Sequence, residues 1–171
     1  MLLVLVMTAA PTAACEPTVT ADSGTGTETL TAAQVNAILT AHNNARKGVS
    51  PSASVMPLLT WNEDLAVYAA LSLANCPGLN QTPTQRTNLS GFLYVGENLA
   101  AGLTYSPANG GGVMSVVEWD KEKVDYNLSA HVCVPTKECG RSKQVVWADS
   151  LQVGCSFKPQ LLPSEPSNVP S

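Results

Sequence analysis

The side chains best able to do chemistry in this chain are few. They are four cysteines, Cys76, Cys133, Cys139 and Cys155, and two histidines, His42 and His131. A zinc site would need paired Cys-x-x-Cys spacing, which is absent. An even set of cysteines in an exported chain reads as a disulfide framework instead, with three possible connectivities. In the chain-entropy account, closing the small Cys133–Cys139 loop is worth ~2.4 kcal/mol, and a Cys76–Cys155 closure roughly 4.5 kcal/mol. No Ser–His or Cys–His pair has a supporting motif, so nucleophilic catalysis is not indicated and the cysteines read as structural. His42 falls on a helix face and is expected to hydrogen-bond across the core. Trp61, Trp119 and Trp147 are expected to be core aromatics. Asn80-Gln-Thr82, Asn88-Leu-Ser90 and Asn127-Leu-Ser129 are glycosylation sequons, meaningful only in a eukaryotic secretory pathway.

The elements that position these residues fit in one domain. The chain has 171 residues, 44% hydrophobic and 13% charged, with a net charge of −4. Such a chain has enough apolar residues for one packed core. Its mild acidity argues against a nucleic-acid partner. No run of about 18 apolar residues predicts a transmembrane segment. Residues 1–14 are apolar and then small, the pattern of a secretory leader, although no Lys or Arg precedes the apolar stretch. Cys15 after Thr12-Ala13-Ala14 offers a lipid-anchoring site if the source is bacterial. Residues 15–29 read as a flexible linker. Residues 158–171 carry four prolines and read as a disordered tail.

Between them, residues 30–157 show helix and strand signals. Thr31-Ala-Ala-Gln34 is a capping box, and the period beyond it predicts a helix over 32–47, stopped by Gly48 and Pro51. Thr60-Trp-Asn-Glu63 predicts a second capped helix, to about residue 75. Residues 94–100 read as extended. A third helix is expected from Val113 to about Tyr126. Gln144–Trp147 and Gln152–Phe157 read as strands joined by a hairpin turn at 148–151. Helices first and strands last indicate an α+β architecture.

Taken together, these segments resemble the CAP superfamily (cysteine-rich secretory proteins, antigen 5 and pathogenesis-related 1 proteins; the SCP domain). His42-Asn-Asn-Ala-Arg46 resembles its first-helix motif, followed by Pro57-Leu-Leu-Thr-Trp-Asn-Glu-Asp-Leu65. Gly96-Glu97-Asn98 is similar to its Gly-Glu-Asn segment, and Trp119-Asp-Lys-Glu122 to its Trp-x-x-Glu helix. Cys139 to Trp147, running on to Val153-Gly-Cys155, is similar to its signature strand. The resemblance covers 30–157 and implies a three-layer α-β-α sandwich with the final strand region missing, because the chain passes from Cys155 into the proline-rich tail. A missing strand would leave an exposed sheet edge. The family's pattern leaves Cys133–Cys139 intact, while Cys76 and Cys155 either pair with each other or stay free.

The family's metal-capable cleft uses two His and two Glu. Glu97 and Glu122 match the Glu positions. The His positions fall at Leu89 (or Asn88 with a shifted gap) and at Arg141, and Ser142 and Lys143 replace an aromatic and a Thr. Zinc favours N and S donors, so the resemblance here implies a salt-bridged cluster of Glu97, Glu122 and Arg141, with no metal and no cofactor. His131 stands near the cysteine loop, but no spacing places it in that cleft. The implied function is a secreted, non-enzymatic binding protein for a lipid or sterol, or for a host or cell-surface partner. Val95, Leu99, Leu103 and Tyr105 are the expected lining residues. A carboxylate-dependent hydrolase using Glu97 and Glu122 is the alternative, and an inactive truncated member a third reading.

Overall fold

The computed structural model describes residues 2–8, 29–74, 87–89, 92–101 and 110–158, with the backbone alone at 2–8, 74 and 87–89. Helix α1 (Ala32–Lys47) starts where the capping box predicts. Gln34 N donates to Thr31 Oγ1 at 3.3 Å, and Thr31 N to Gln34 Oε1 at 2.7 Å. Strand β2 (Thr60–Trp61) leads into α2 (Glu63–Ala74). The cap of α2 is Asn62, not Thr60. Its Oδ1 accepts from Leu65 N at 3.1 Å, while Thr60 is already in the sheet.

The main sheet has five strands in the order β2-β7-β1-β4-β3. Its other strands are β1 (Leu2–Thr8), β3 (Thr87–Leu89), β4 (Phe92–Ala101) and β7 (Gln152–Lys158). β1 runs parallel to both β4 and β7, whereas β3 is antiparallel to β4. The sequence predicts an exposed edge at the missing strand; in the structure β1 occupies ladder positions on both β4 and β7. Leu2–Thr8, read from sequence as part of a leader, form the central strand, with Leu2 opposite Val95 and Leu3 opposite Val153. An apolar, β-branched heptapeptide suits a central strand as well as it suits a leader.

Helices cover both faces of this sheet. On one face α2 lays Leu65, Tyr68, Ala69 and Leu73 against Val95 and Leu99 of β4. The approach is close at Gly154, where a Cβ would stand 2.3 Å from Ala66 N, so a side chain there would push α2 off β7. On the other face α1, α3 (Gly111–Lys121) and α4 (Gly140–Val145) enclose Ile38, Val116, Trp119 and Val145 with Cys155 and Phe157 of β7. This is the α-β-α sandwich of the expected class. A 3-10 turn (Glu122–Asp125) follows α3, and a small hairpin of β5 (Tyr126–Asn127) and β6 (Val132–Cys133) precedes α4.

Two sequence expectations fail around α4. Gln144–Trp147 is not a strand, and residues 148–151 are not a hairpin turn between strands. Residues 140–145 are helical, and the chain turns through Trp147 to reach β7. The β-branched pair Val145-Val146 favours a strand locally, but tertiary partners described below impose the helix. Trp119 is a core residue at 3% exposed, whereas Trp147 is 42% exposed and is not.

Candidate functional site

The two family-matching positions that meet in space are Glu122 and Arg141. Trp119, buried one turn earlier, anchors α3 so that Glu122 faces the start of α4. The first backbone N–H groups of a helix have no partner within it, and Cys139 at the cap supplies no side-chain bond. Glu122 takes that role. Its Oε2 accepts from Arg141 N at 2.9 Å and Ser142 N at 3.2 Å, and its Oε1 from Arg141 Nη1 at 2.5 Å. The Cys133–Cys139 disulfide forms as expected, with Cα atoms 6.1 Å apart, and ties the start of α4 to β6.

α4 lies directly on β4. A Cβ at Gly96 would stand 2.1 Å from Gln144 Oε1, and Asn98 Nδ2 donates to Arg141 O at 3.0 Å. Side chains alternate along a strand, so Gly96 and Asn98 face α4 while Glu97 shares the opposite face with Val95 and Leu99. Glu97 is buried, at 3% exposed. The expected three-residue cluster is thus a Glu122–Arg141 pair, with Glu97 directed to the other side of β4. Leu89 belongs to β3, opposite Phe92. Val95 and Leu99 are core residues under α2 and cannot line an open ligand site. Leu103 and Tyr105 lie outside the described residues.

The donor set does not fit the metal that the family cleft would hold. Leu89 offers no donor atom. Both oxygens of Glu122 already accept from α4, and Arg141 brings a fixed positive charge to the position of the second imidazole. Among the described residues no group of three His, Cys, Asp or Glu side chains is placed to hold an ion.

His42 and Arg46 build the seam behind α4. His42 is fully buried, and its Nδ1 donates to Ile38 O at 2.9 Å within its own helix rather than across the core. Burial, and to a lesser degree the Arg46 charge, lowers its pKa from 6.5 to about 4, so the ring is neutral at pH 7. Arg46 is 1% exposed. Its Nε and Nη2 donate to Pro57 O at 3.0 and 2.7 Å, its Nη1 to Val145 O and Trp147 O at 3.2 and 2.8 Å, and its Nη2 also to Ser150 O at 3.1 Å. One planar guanidinium therefore collects the open carbonyls at the end of α4. Sequence spacing does not reveal this, because the acceptors are backbone atoms, and those of Val145, Trp147 and Ser150 lie about 100 residues away.

Cys155 is a free thiol buried in the core between β7 and α1, so the Cys76–Cys155 bridge is not formed. The reason is topological. Cys155 faces α1 and α3, whereas α2, which leads toward Cys76, covers the opposite face. Cys76 itself lies outside the described residues. Burial also pushes the Cys155 thiol pKa up, which makes it unreactive.

A groove of about 640 Å³ runs between α1 and α3. Ala37, Ala41 and Ala45 recur every four residues on α1 and face Val113, Val116 and Val117 of α3, so small side chains leave the space open. Asp120 and Lys123 stand at one end, paired at 2.6 Å. Asp120 Oδ1 is buried with no hydrogen-bond partner. An alanine stripe facing valines was a signal available in the sequence, but it becomes a groove only once the two helices are known to be neighbours.

A family model described as the cysteine-rich secretory protein family (CAP) matches residues 39–160. The chain is 36% identical over 124 residues to pathogenesis-related protein 1A1 of Solanum lycopersicum, covering 69% of this chain and 59% of that protein. It is 35% identical over 131 residues to human peptidase inhibitor 16, covering 75% of this chain and 26% of that protein. A pathogenesis-related protein of PR-1 type from Sambucus nigra is 36% identical over 116 residues, 68% of this chain and 62% of that one. The chain thus spans between a quarter and just under two thirds of these relatives. On this family match, the chain belongs to the cysteine-rich secretory protein (CAP) family.

Proposed function

We propose that the protein is a secreted, non-enzymatic binding module that holds a single-chain lipid in the groove between α1 and α3. The groove itself carries this reading. Its volume falls within the range of small-molecule sites, which run to roughly 300–1,000 Å³. It follows the helices from Asn36 to Ala45, about 14 Å at the rise of an α-helix. Apolar walls suit an acyl chain. At one end the Asp120–Lys123 pair offers a polar contact for a hydroxyl-bearing head such as that of a monoacylglycerol. The family description as secretory and the leader-like composition of residues 1–14 support export. No helix of the described residues is long and apolar enough to cross a membrane.

Carboxylate catalysis finds less support. Glu122 is engaged by Arg141 and the start of α4, and Glu97 faces the other side of β4. The lipid reading is tested by titrating a monoacylglycerol series. Each methylene removed should weaken binding by about 0.8 kcal/mol, roughly fourfold in Kd. Affinity independent of chain length, or no binding at all, would overturn it.

A further inference from the structure

A second concavity, of about 420 Å³, opens on the far side of Asp120 and Lys123, between the end of α1, the β5–β6 hairpin and α4. We infer that it is a separate binding site for a small aromatic anion. The wall carries Lys143 and His131, and the apolar lining comes from Tyr126, Val146 and Trp147. Lys143 Nζ lies 5.3 Å from the centroid of the Tyr126 ring and has no carboxylate partner among the described residues. Lys123 is neutralised by Asp120, so Lys143 gives the pocket its uncompensated positive charge. His131 sits at φ 56°, the left-handed region that non-glycine residues adopt at a cost, and there its side chain lines the pocket. Trp147 leaves 42% of its surface exposed at the same opening, an unusual loss for a large aromatic ring that a planar ligand would recover. A cation next to exposed aromatic surface matches a ligand with a flat apolar body and one carboxylate, sulfonate or phosphate.

The test uses the full chain carrying Thr40→Trp, which fills the groove between α1 and α3 from an exposed wall position. The probes are 1-anilinonaphthalene-8-sulfonate and its uncharged parent N-phenyl-1-naphthylamine, followed by fluorescence. One sulfonate probe per chain should bind. Adding Lys143→Met should weaken the sulfonate roughly tenfold, the worth of one charge-assisted contact, and leave the uncharged probe unchanged. Ala148→Trp, at an exposed wall position, should weaken both. The inference is overturned if Lys143→Met leaves the sulfonate unaffected or weakens both probes equally. It is also overturned if Thr40→Trp alone abolishes sulfonate binding.

Discussion

Replacing Arg46 with Met tests how the seam behind α4 is held. Methionine fills much of the apolar volume of arginine but donates nothing. Trp147 O keeps the bond from Ser150 N at 3.0 Å, so three carbonyls, those of Pro57, Val145 and Ser150, lose the donor that Arg46 gave them. Each buried carbonyl left unsatisfied costs about 1–3 kcal/mol. Against this, removing a buried guanidinium returns several kcal/mol of desolvation. The expected net loss is about 3 kcal/mol, a fall of roughly 10 °C in Tm for a domain of this size. Arg46→Lys should recover little of it, because one ammonium cannot reach acceptors spread over the loop at Pro57 and the turn at Trp147–Ser150. The assay is thermal unfolding by far-UV circular dichroism, with urea unfolding as a second measure. A Tm for Arg46→Met within 2 °C of the parent chain would refute the reasoning and show that water satisfies these carbonyls equally well.

Three other outcomes follow from the same structure. The His42 pKa is about 4 in the folded chain against 6.5 unfolded, so its stabilisation is complete above pH 6.5 and is lost as pH falls through 4, about 3 kcal/mol in all; urea unfolding from pH 7.5 to 4 should show this loss shrinking in His42→Gln, and equal slopes in both chains would contradict it. Glu122→Ala should cost about 1–2 kcal/mol, because it strips the cap of α4, whereas Arg141→Ala should cost under about 1 kcal/mol, its side chain being 42% exposed; equal losses in thermal melts would mean that the ion pair, not the cap, matters. Export that removes residues 1–14 takes β1 out of the sheet and leaves Val95–Ala101 and Val153–Lys158 without their shared neighbour; a chain beginning at Cys15 should therefore melt lower and aggregate more readily than the full chain, and identical melting curves would show that the strand contributes nothing.

Much of the framework was readable from local chemistry. Thr31 and Gln34 announce the start of α1, and Gln152–Phe157 announces β7, because their signals act within a few residues. The first departures come where distant groups decide. Val145-Val146-Trp147 looks like a strand, yet Glu122 caps this segment, the Cys133–Cys139 bridge pins it and Arg46 gathers its last carbonyls. Leu2–Thr8 carries the composition of a leader and of a central strand alike, and only the ladder positions open on β4 and β7 separate the two uses. At the candidate site, Glu122 and Arg141 pair between the end of α3 and the start of α4, while strand alternation sets Glu97, next to Asn98, on the face of β4 away from α4. The groove and the pocket beside it were not readable, since each is formed by side chains from separate elements.

The central claim is that ligand binding resides in the α1–α3 groove and not at the Glu122–Arg141 pair. Calorimetric titration of a long-chain monoacylglycerol into the parent chain, Thr40→Trp and Glu122→Gln tests it directly. The account predicts one saturable site per chain, kept in Glu122→Gln and lost in Thr40→Trp. Binding lost in Glu122→Gln but kept in Thr40→Trp would contradict it.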